Sequence, residues 1–322
     1  MVQNSTQSQN SSSEELILRS LNPLEARVRM ATVQVLVWFF LYINGLMHFT
    51  FLSKQAFWGN TRYVLFAHTL LLNSIFLLLT DLVVLLTYFF VMMPMGFCIL
   101  LCIIMESVTS GAPFTITAMC LERYVAICMP LRHANISTPD RAVAAIVVIS
   151  IFSLINPFMD LFVLIAMAPP GYFAEASFCH YEIMLVAKWQ RFTRALIYQV
   201  DLAVIAIIIM FCYVKIMLAA KAASGGNKES VSKGRRTLLF HSLQLFLCMI
   251  DILCPYFETY VLENSPQNYL TIRFFNYTAF TIISRALSAL IYGLRDKTFC
   301  VALVYYVSCK MNQVTVKKSN GP

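Results

Sequence analysis

Charge is what this chain has least of. Asp, Glu, Lys and Arg make up 12% of its 322 residues, against 59% hydrophobic residues. An ordinary soluble domain carries about twice that charged share, so that class is excluded. Catalytic signatures are missing too: there is no His-Glu-x-x-His, no P-loop and no glycine-rich dinucleotide turn. The five histidines (His48, His68, His133, His180 and His241) show no metal-ligand spacing. An enzyme, a metal site or a cofactor therefore has no residues to rest on. The apolar runs lack strict two-residue alternation, which argues against a membrane barrel. Residues 1–30 hold no apolar core of signal-peptide type, so the first apolar run is expected to serve as an uncleaved anchor.

What the chain has in quantity is long apolar stretches. Seven are of spanning length: 31–53, 63–92, 95–119, 142–168, 192–219, 237–262 and 270–293. Each exceeds or approaches the roughly 20 residues that a helix needs to cross hydrocarbon. The expected fold is an all-α membrane protein, a seven-transmembrane helix bundle in a single domain. No repeat relates two halves, which argues against a channel or transporter.

Lys and Arg distribution sets the orientation. With the Arg123 end in the cytoplasm, sixteen of the 24 basic residues fall on that side, among them Lys228, Lys233, Arg235, Arg236, Arg295 and Lys297. Arg19, Arg27 and Arg29 flank the first span on the opposite side and conflict locally. The global excess places the N-terminus outside. The net charge of +8 is then a topology signal, and no nucleic-acid partner is needed. Residues 1–30 become an extracellular tail, with Asn4 and Asn10 in glycosylation sequons. Asn135 has the same pattern but falls on the cytoplasmic side. Residues 31–293 form the transmembrane domain, and 294–322 an amphipathic helix with a cytoplasmic tail. In that last segment Phe299, Leu303, Tyr306 and Val307 share helical spacing, which suits a helix on the inner leaflet. Cys300 and Cys309 lie there as candidates for acylation or as free thiols.

The polar residues inside spans are the informative ones, because a buried carboxylate is costly unless paired or hydrated. They are Asp81, Glu106, Asp160, Asp201, Asp251 and Glu258. Such acids with few basic partners favour a cationic ligand; the alternative is hydrogen bonding between helices with no ligand contact. Arg285, deep in the last span, reads as structural, with Asp251 a possible ion-pair partner. At the far end of the third span stands Leu121-Glu122-Arg123-Tyr124, a charge pair closing a long apolar run.

Met119–Leu131 reads MCLERYVAICMPL, Ala286–Asp296 reads ALSALIYGLRD, and Tyr213 lies in Phe211-Cys212-Tyr213-Val214-Lys215. Together these resemble the rhodopsin-like (class A) G-protein-coupled receptors, and within them vertebrate odorant receptors of the fish type. The resemblance implies that Glu122, Arg123, Tyr124, Tyr213 and Tyr292 form an activation switch. It implies a Cys98–Cys179 disulfide pinning the 168–191 loop, since Cys98 precedes Arg123 by 25 residues. A ligand pocket is implied in the outer half, with Glu106, Thr109, Ser110, Tyr198 and Asp201 as candidates. The implied partners are a small, water-soluble odorant, a heterotrimeric G protein of the olfactory stimulatory type, and membrane lipids. The implied location is the plasma membrane of an olfactory sensory neuron. A receptor for an endogenous amine, lipid or peptide is the alternative.

The chain also departs from that pattern. Asn73 stands where a sodium-binding Asp is usual, which puts sodium regulation in doubt. Ser288-Ala289 replaces the usual Asn-Pro, removing a proline kink. The fourth span lacks its usual Trp, and Pro255 lacks the Trp that normally precedes it. Residues 270–293 contain no Lys, so a retinal Schiff base is excluded.

The topology makes a direct prediction. Glycosidase digestion of the expressed protein should shift its gel mobility. Asn4→Gln with Asn10→Gln should abolish the shift, while Asn135→Gln should leave it intact.

Overall fold

The computed structural model describes residues 22–223, 264–287 and 297–307, with separate positions between 243 and 261. Asn4, Asn10, Tyr292, Cys309, Lys228, Lys233, Arg235, Arg236, Asp251, Pro255, Ser288 and Ala289, on which expectations were placed, lie outside the described residues. So does most of the sixth apolar stretch.

Among the described residues five long helices dominate: α1 (Pro23–Ser53), α2 (Thr61–Tyr88), α3 (Met95–Cys128), α4 (Pro139–Met167) and α5 (Lys188–Ala223). All five contain a segment long and apolar enough to cross a membrane. They match the first five apolar runs, with ends set by caps rather than by hydropathy. α1 starts upstream of its apolar run, where the Asn22 side chain accepts from Leu24 N–H at 3.1 Å and Pro23 opens the helix. Asn60 caps α2 in the same way, and Thr138 followed by Pro139 opens α4. α3 also outruns its apolar stretch, carrying the Glu122-Arg123-Tyr124 turn as its last helical turns. Many large apolar side chains point away from the bundle, including Trp38, Phe39, Phe152, Phe162 and Ile207. A surface of that kind suits hydrocarbon and not water.

α3 is the central helix and packs against α2, α4 and α5. Its ends mark two poles of the molecule. At one pole Met93–Pro94 pairs antiparallel with Ala176–Ser177, and Cys98 is disulfide-bonded to Cys179 with Cα atoms 5.4 Å apart. The expected disulfide is thus present. Its surroundings form a core of Met93, Ile99, Leu164, Ile183 and Met184, so the loop after α4 is folded down onto the helices.

Near the opposite pole, Phe57, Tyr63 and Phe66 gather around Phe299 of the Lys297–Val307 helix. Phe299 and Ala302 are fully buried and Leu303 packs beside them, whereas Val301 and Val304 are exposed and Cys300 is half-buried. The Pro266–Asn276 helix continues into a π-helical stretch, Tyr277–Ile283, within the seventh apolar run. Arg29 fastens α1 to it, donating to the Leu270 carbonyl and to Thr271 Oγ1, both at 2.9 Å. That structural duty accounts for one of the three arginines that conflicted with the charge rule.

Phe299 is the anchor of its helix. Phe299→Ala should destabilise the protein by about 3–5 kcal/mol, the usual penalty for emptying an aromatic core site. A lowered thermal midpoint of the solubilised protein would register it.

Candidate functional site

The disulfide pole holds a polar cluster inside otherwise apolar surroundings. Glu106 of α3 is 7% exposed and accepts a 2.7 Å bond from Arg194 Nη2 of α5. The Arg194 guanidinium lies over the Tyr181 ring, 3.6 Å from its centre, and 5.6 Å from that of Tyr198. A cation held against aromatic faces in a desolvated site gains from the ring quadrupole. Tyr181 then donates its hydroxyl to Asp160 Oδ2 of α4 at 2.7 Å. Burial pushes the Tyr181 phenol far above its usual range, so it stays a donor. Gln190 gives its amide to Asp160 Oδ1 at 3.1 Å and accepts from Ala187 N–H at 2.7 Å. Three helices and the pinned loop are thereby joined through one chain of contacts.

Tyr181 reaches this position because Cys179, two residues earlier, is tied to α3. Tyr172 braces the same loop by donating to the Ile183 carbonyl at 2.7 Å.

The sequence-level candidates separate here. Glu106, Ser110 and Tyr198 are brought together: Ser110 and the Tyr198 hydroxyl share a 3.3 Å hydrogen bond, and both are buried. The Thr109 hydroxyl turns back to the Met105 carbonyl of its own helix at 2.9 Å. Pro113, one turn on, has no N–H for the Thr109 carbonyl, which opens the helix ladder at that point. Asp201 is half-buried and takes no hydrogen bond or ion pair among the described residues.

One expectation is corrected. Glu106 does not lack a basic partner, so its charge alone gives no ground for a cationic ligand. Arg194 carries only a faint sequence signal: it precedes Tyr198 by four residues and so shares its helix face. The role of Asp160 as a bridge through Tyr181 and Gln190 had no sequence signal, because its partners come from the loop and from α5.

Asp81 and Glu258 bridge helices. Asp81 accepts from Gln34 of α1 at 2.5 Å, and Glu258 accepts from Asn276 at 3.0 Å. Arg285 lies 3.6 Å from the centre of the Phe76 ring, and its carbonyl accepts from Asn73 at 3.3 Å. A separate cavity of about 270 Å³ opens between α2, α3 and α4, lined by His68, Leu72, Ile104, Ser107 and Ser153 among others. None of the five candidate ligand residues lines it.

At the opposite pole, Tyr124 and Tyr213 pack on one cluster with Cys212 and Ile216, joining α3 to α5. Arg123 lies half-buried beside Tyr124 in the chain. The Glu122 carboxylate accepts from His133 Nε2 at 3.4 Å. His133 is a partner that the motif alone did not point to, since it sits in the short helix Pro130–Ile136 that folds back after α3.

Tyr181→Phe keeps the ring over Arg194 and removes the bond to Asp160. It should lower stability by about 1.5–3 kcal/mol, the range for a hydrogen bond to a charged group. Tyr181→Ala should lower it further, and thermal midpoints of both variants in detergent check the order.

Known proteins bear on this arrangement. The model of the 7 transmembrane receptor (rhodopsin family) matches residues 60–290. Odorant receptor 131-2 of Danio rerio is 40% identical over 278 residues, covering 86% of this chain and 85% of that protein. Olfactory receptor 1073 of Rattus norvegicus is 25% identical over 210 residues, covering 62% of this chain and 64% of that protein. With a central helix ending in Glu122-Arg123-Tyr124, a disulfide at its other end and a match over most of its length, the chain belongs to the rhodopsin family of seven-transmembrane receptors, among the odorant receptors of fish type.

Proposed function

We propose that this receptor binds a small-molecule odorant at the disulfide pole and activates a heterotrimeric G protein at the Arg123 pole. The observation that carries the reading is that α3 runs between the two. Glu106 and Ser110 stand in its first half and Arg123 near its end, 17 residues from Glu106, or about 25 Å at helical rise. A ligand lodged among Glu106, Ser110, Tyr198 and Arg194 touches α3 and α5 together. The same two helices meet again at Tyr124 and Tyr213.

Activation is a shift between two arrangements, and a ligand moves it only by binding one arrangement better. In the resting form Glu122 holds Arg123. In the active form the sixth helix swings outward, and Tyr213 and Tyr292 engage Arg123 or its surroundings. His133 competes for the Glu122 carboxylate. Thr109 and Asp201 complete the proposed ligand set.

The full span count is seven, with the N-terminus outside and Asn4 and Asn10 glycosylated. The Lys297–Val307 helix lies on the inner leaflet, Val301 and Val304 facing lipid and Cys300 and Cys309 open to acylation. The basic inner segments meet the G protein, of the olfactory stimulatory type, or anionic lipid. The plasma membrane of an olfactory sensory neuron is the corresponding location.

Cells expressing the full chain with a stimulatory G protein should raise cyclic AMP when a water-soluble odorant panel is applied. Arg123→Ala should abolish that rise with surface expression unchanged. A full response from the variant would remove Arg123 from the switch.

A further inference from the structure

The Glu106–Arg194 pair leaves two atoms over. Glu106 Oε2 receives the Arg194 bond, while Glu106 Oε1 and Arg194 Nε are buried with no hydrogen-bond partner. One is an acceptor and the other a donor. A buried polar atom left unmatched is costly, so a molecule that satisfies both gains more than one that merely fills space. Asp160 is fully buried and each of its oxygens already accepts a bond, from Tyr181 or from Gln190. The Tyr198 hydroxyl and Ser110 provide further neutral polar contacts nearby.

Charge decides the class of ligand. An ammonium drawn to Glu106 meets the Arg194 guanidinium, whose nitrogen lies 2.7 Å from the same carboxylate. A carboxylate drawn to Arg194 meets Glu106 equally closely. Either ion would also have to leave water, and the pair returns little of that desolvation. An uncharged molecule bearing one donor and one acceptor meets neither obstacle.

We infer that the pair acts as a charge filter, restricting the receptor to uncharged polar ligands, with Glu106 and Arg194 each masking the other. This deepens the ligand reading above and rests on it. Removing one partner unmasks the other. Glu106→Gln frees Arg194 to take carboxylates, and Arg194→Gln frees Glu106 to take amines.

The test uses the full chain in cells, with receptor-driven G-protein activation as readout. One carbon skeleton is presented as a hydroxy-ketone, a carboxylate and an amine. The wild type should prefer the hydroxy-ketone. Glu106→Gln should improve the carboxylate's half-maximal concentration by about 10- to 100-fold, the worth of one charge-assisted hydrogen bond. Arg194→Gln should do the same for the amine.

A wild type that prefers either ion, or ignores all three compounds, overturns the filter. So do single variants that keep the wild-type ranking. In that last case Ser110→Ala and Tyr198→Phe separate the two claims. If they weaken the hydroxy-ketone response, the pocket stands and only the filter fails; if they do not, the pocket reading fails with it. Should the single variants not reach the surface, the swapped pair, Glu106→Lys with Arg194→Glu, should restore both expression and the uncharged preference. A swapped receptor that prefers an ion counts against the filter.

Discussion

A carboxylate buried among apolar helices has to find a countercharge, and the ion pair of Glu106 with Arg194 is the contact on which the disulfide pole depends. It joins α5 to α3 across the bundle. The guanidinium then needs its own surroundings, which the Tyr181 ring supplies from the loop. Tyr181 in turn needs an acceptor for its hydroxyl, and Asp160 of α4 provides it. Each group is kept by the next. Breaking such a chain at a charged member leaves a buried ion unmatched, at a penalty of about 3–5 kcal/mol in comparable sites.

The disulfide makes this chain of contacts possible. Cys179 is held against Cys98 at the start of α3, so the loop cannot drift from the helix ends. The short ribbon at Met93–Pro94 and the Tyr172 brace narrow its freedom further. Tyr181 therefore meets Arg194 and Asp160 with most of its ordering entropy already lost in the loop. At the opposite pole the arrangement is different in kind. Among the described residues, apolar packing of Tyr124, Tyr213, Cys212 and Ile216 joins α3 to α5, and half-exposed His133 hydrogen-bonds the Glu122 carboxylate.

Much of the fold was legible in advance. Apolar runs marked five of the observed helices, because hydrocarbon demands continuous apolar length and helical backbone pairing. Helix ends were less legible. Caps such as Asn22, Asn60 and Thr138 lie outside the apolar runs, and α3 carries its charged turn beyond them. The candidate site was legible in part. Glu106, Ser110 and Tyr198 follow from acids and hydroxyls at helical spacing on α3 and α5. Arg194 had only a faint signal in its four-residue spacing from Tyr198, because its partner Glu106 lies on another helix.

Composition and pattern by themselves were enough for a helical membrane bundle, the Glu122-Arg123-Tyr124 turn and the family, since each depends on residues near one another in the chain or on total apolar length. The charge state of the candidate pocket was not open to that reasoning. Glu106 and Arg194 are 88 residues apart, and only the packing of α5 on α3 beneath a pinned loop makes one the partner of the other. A lone acid in a span suggests a cation; the same acid beside a guanidinium does not. Tertiary structure decided that question because electrostatic pairing depends on distance in space, and the order of residues along the chain does not contain it.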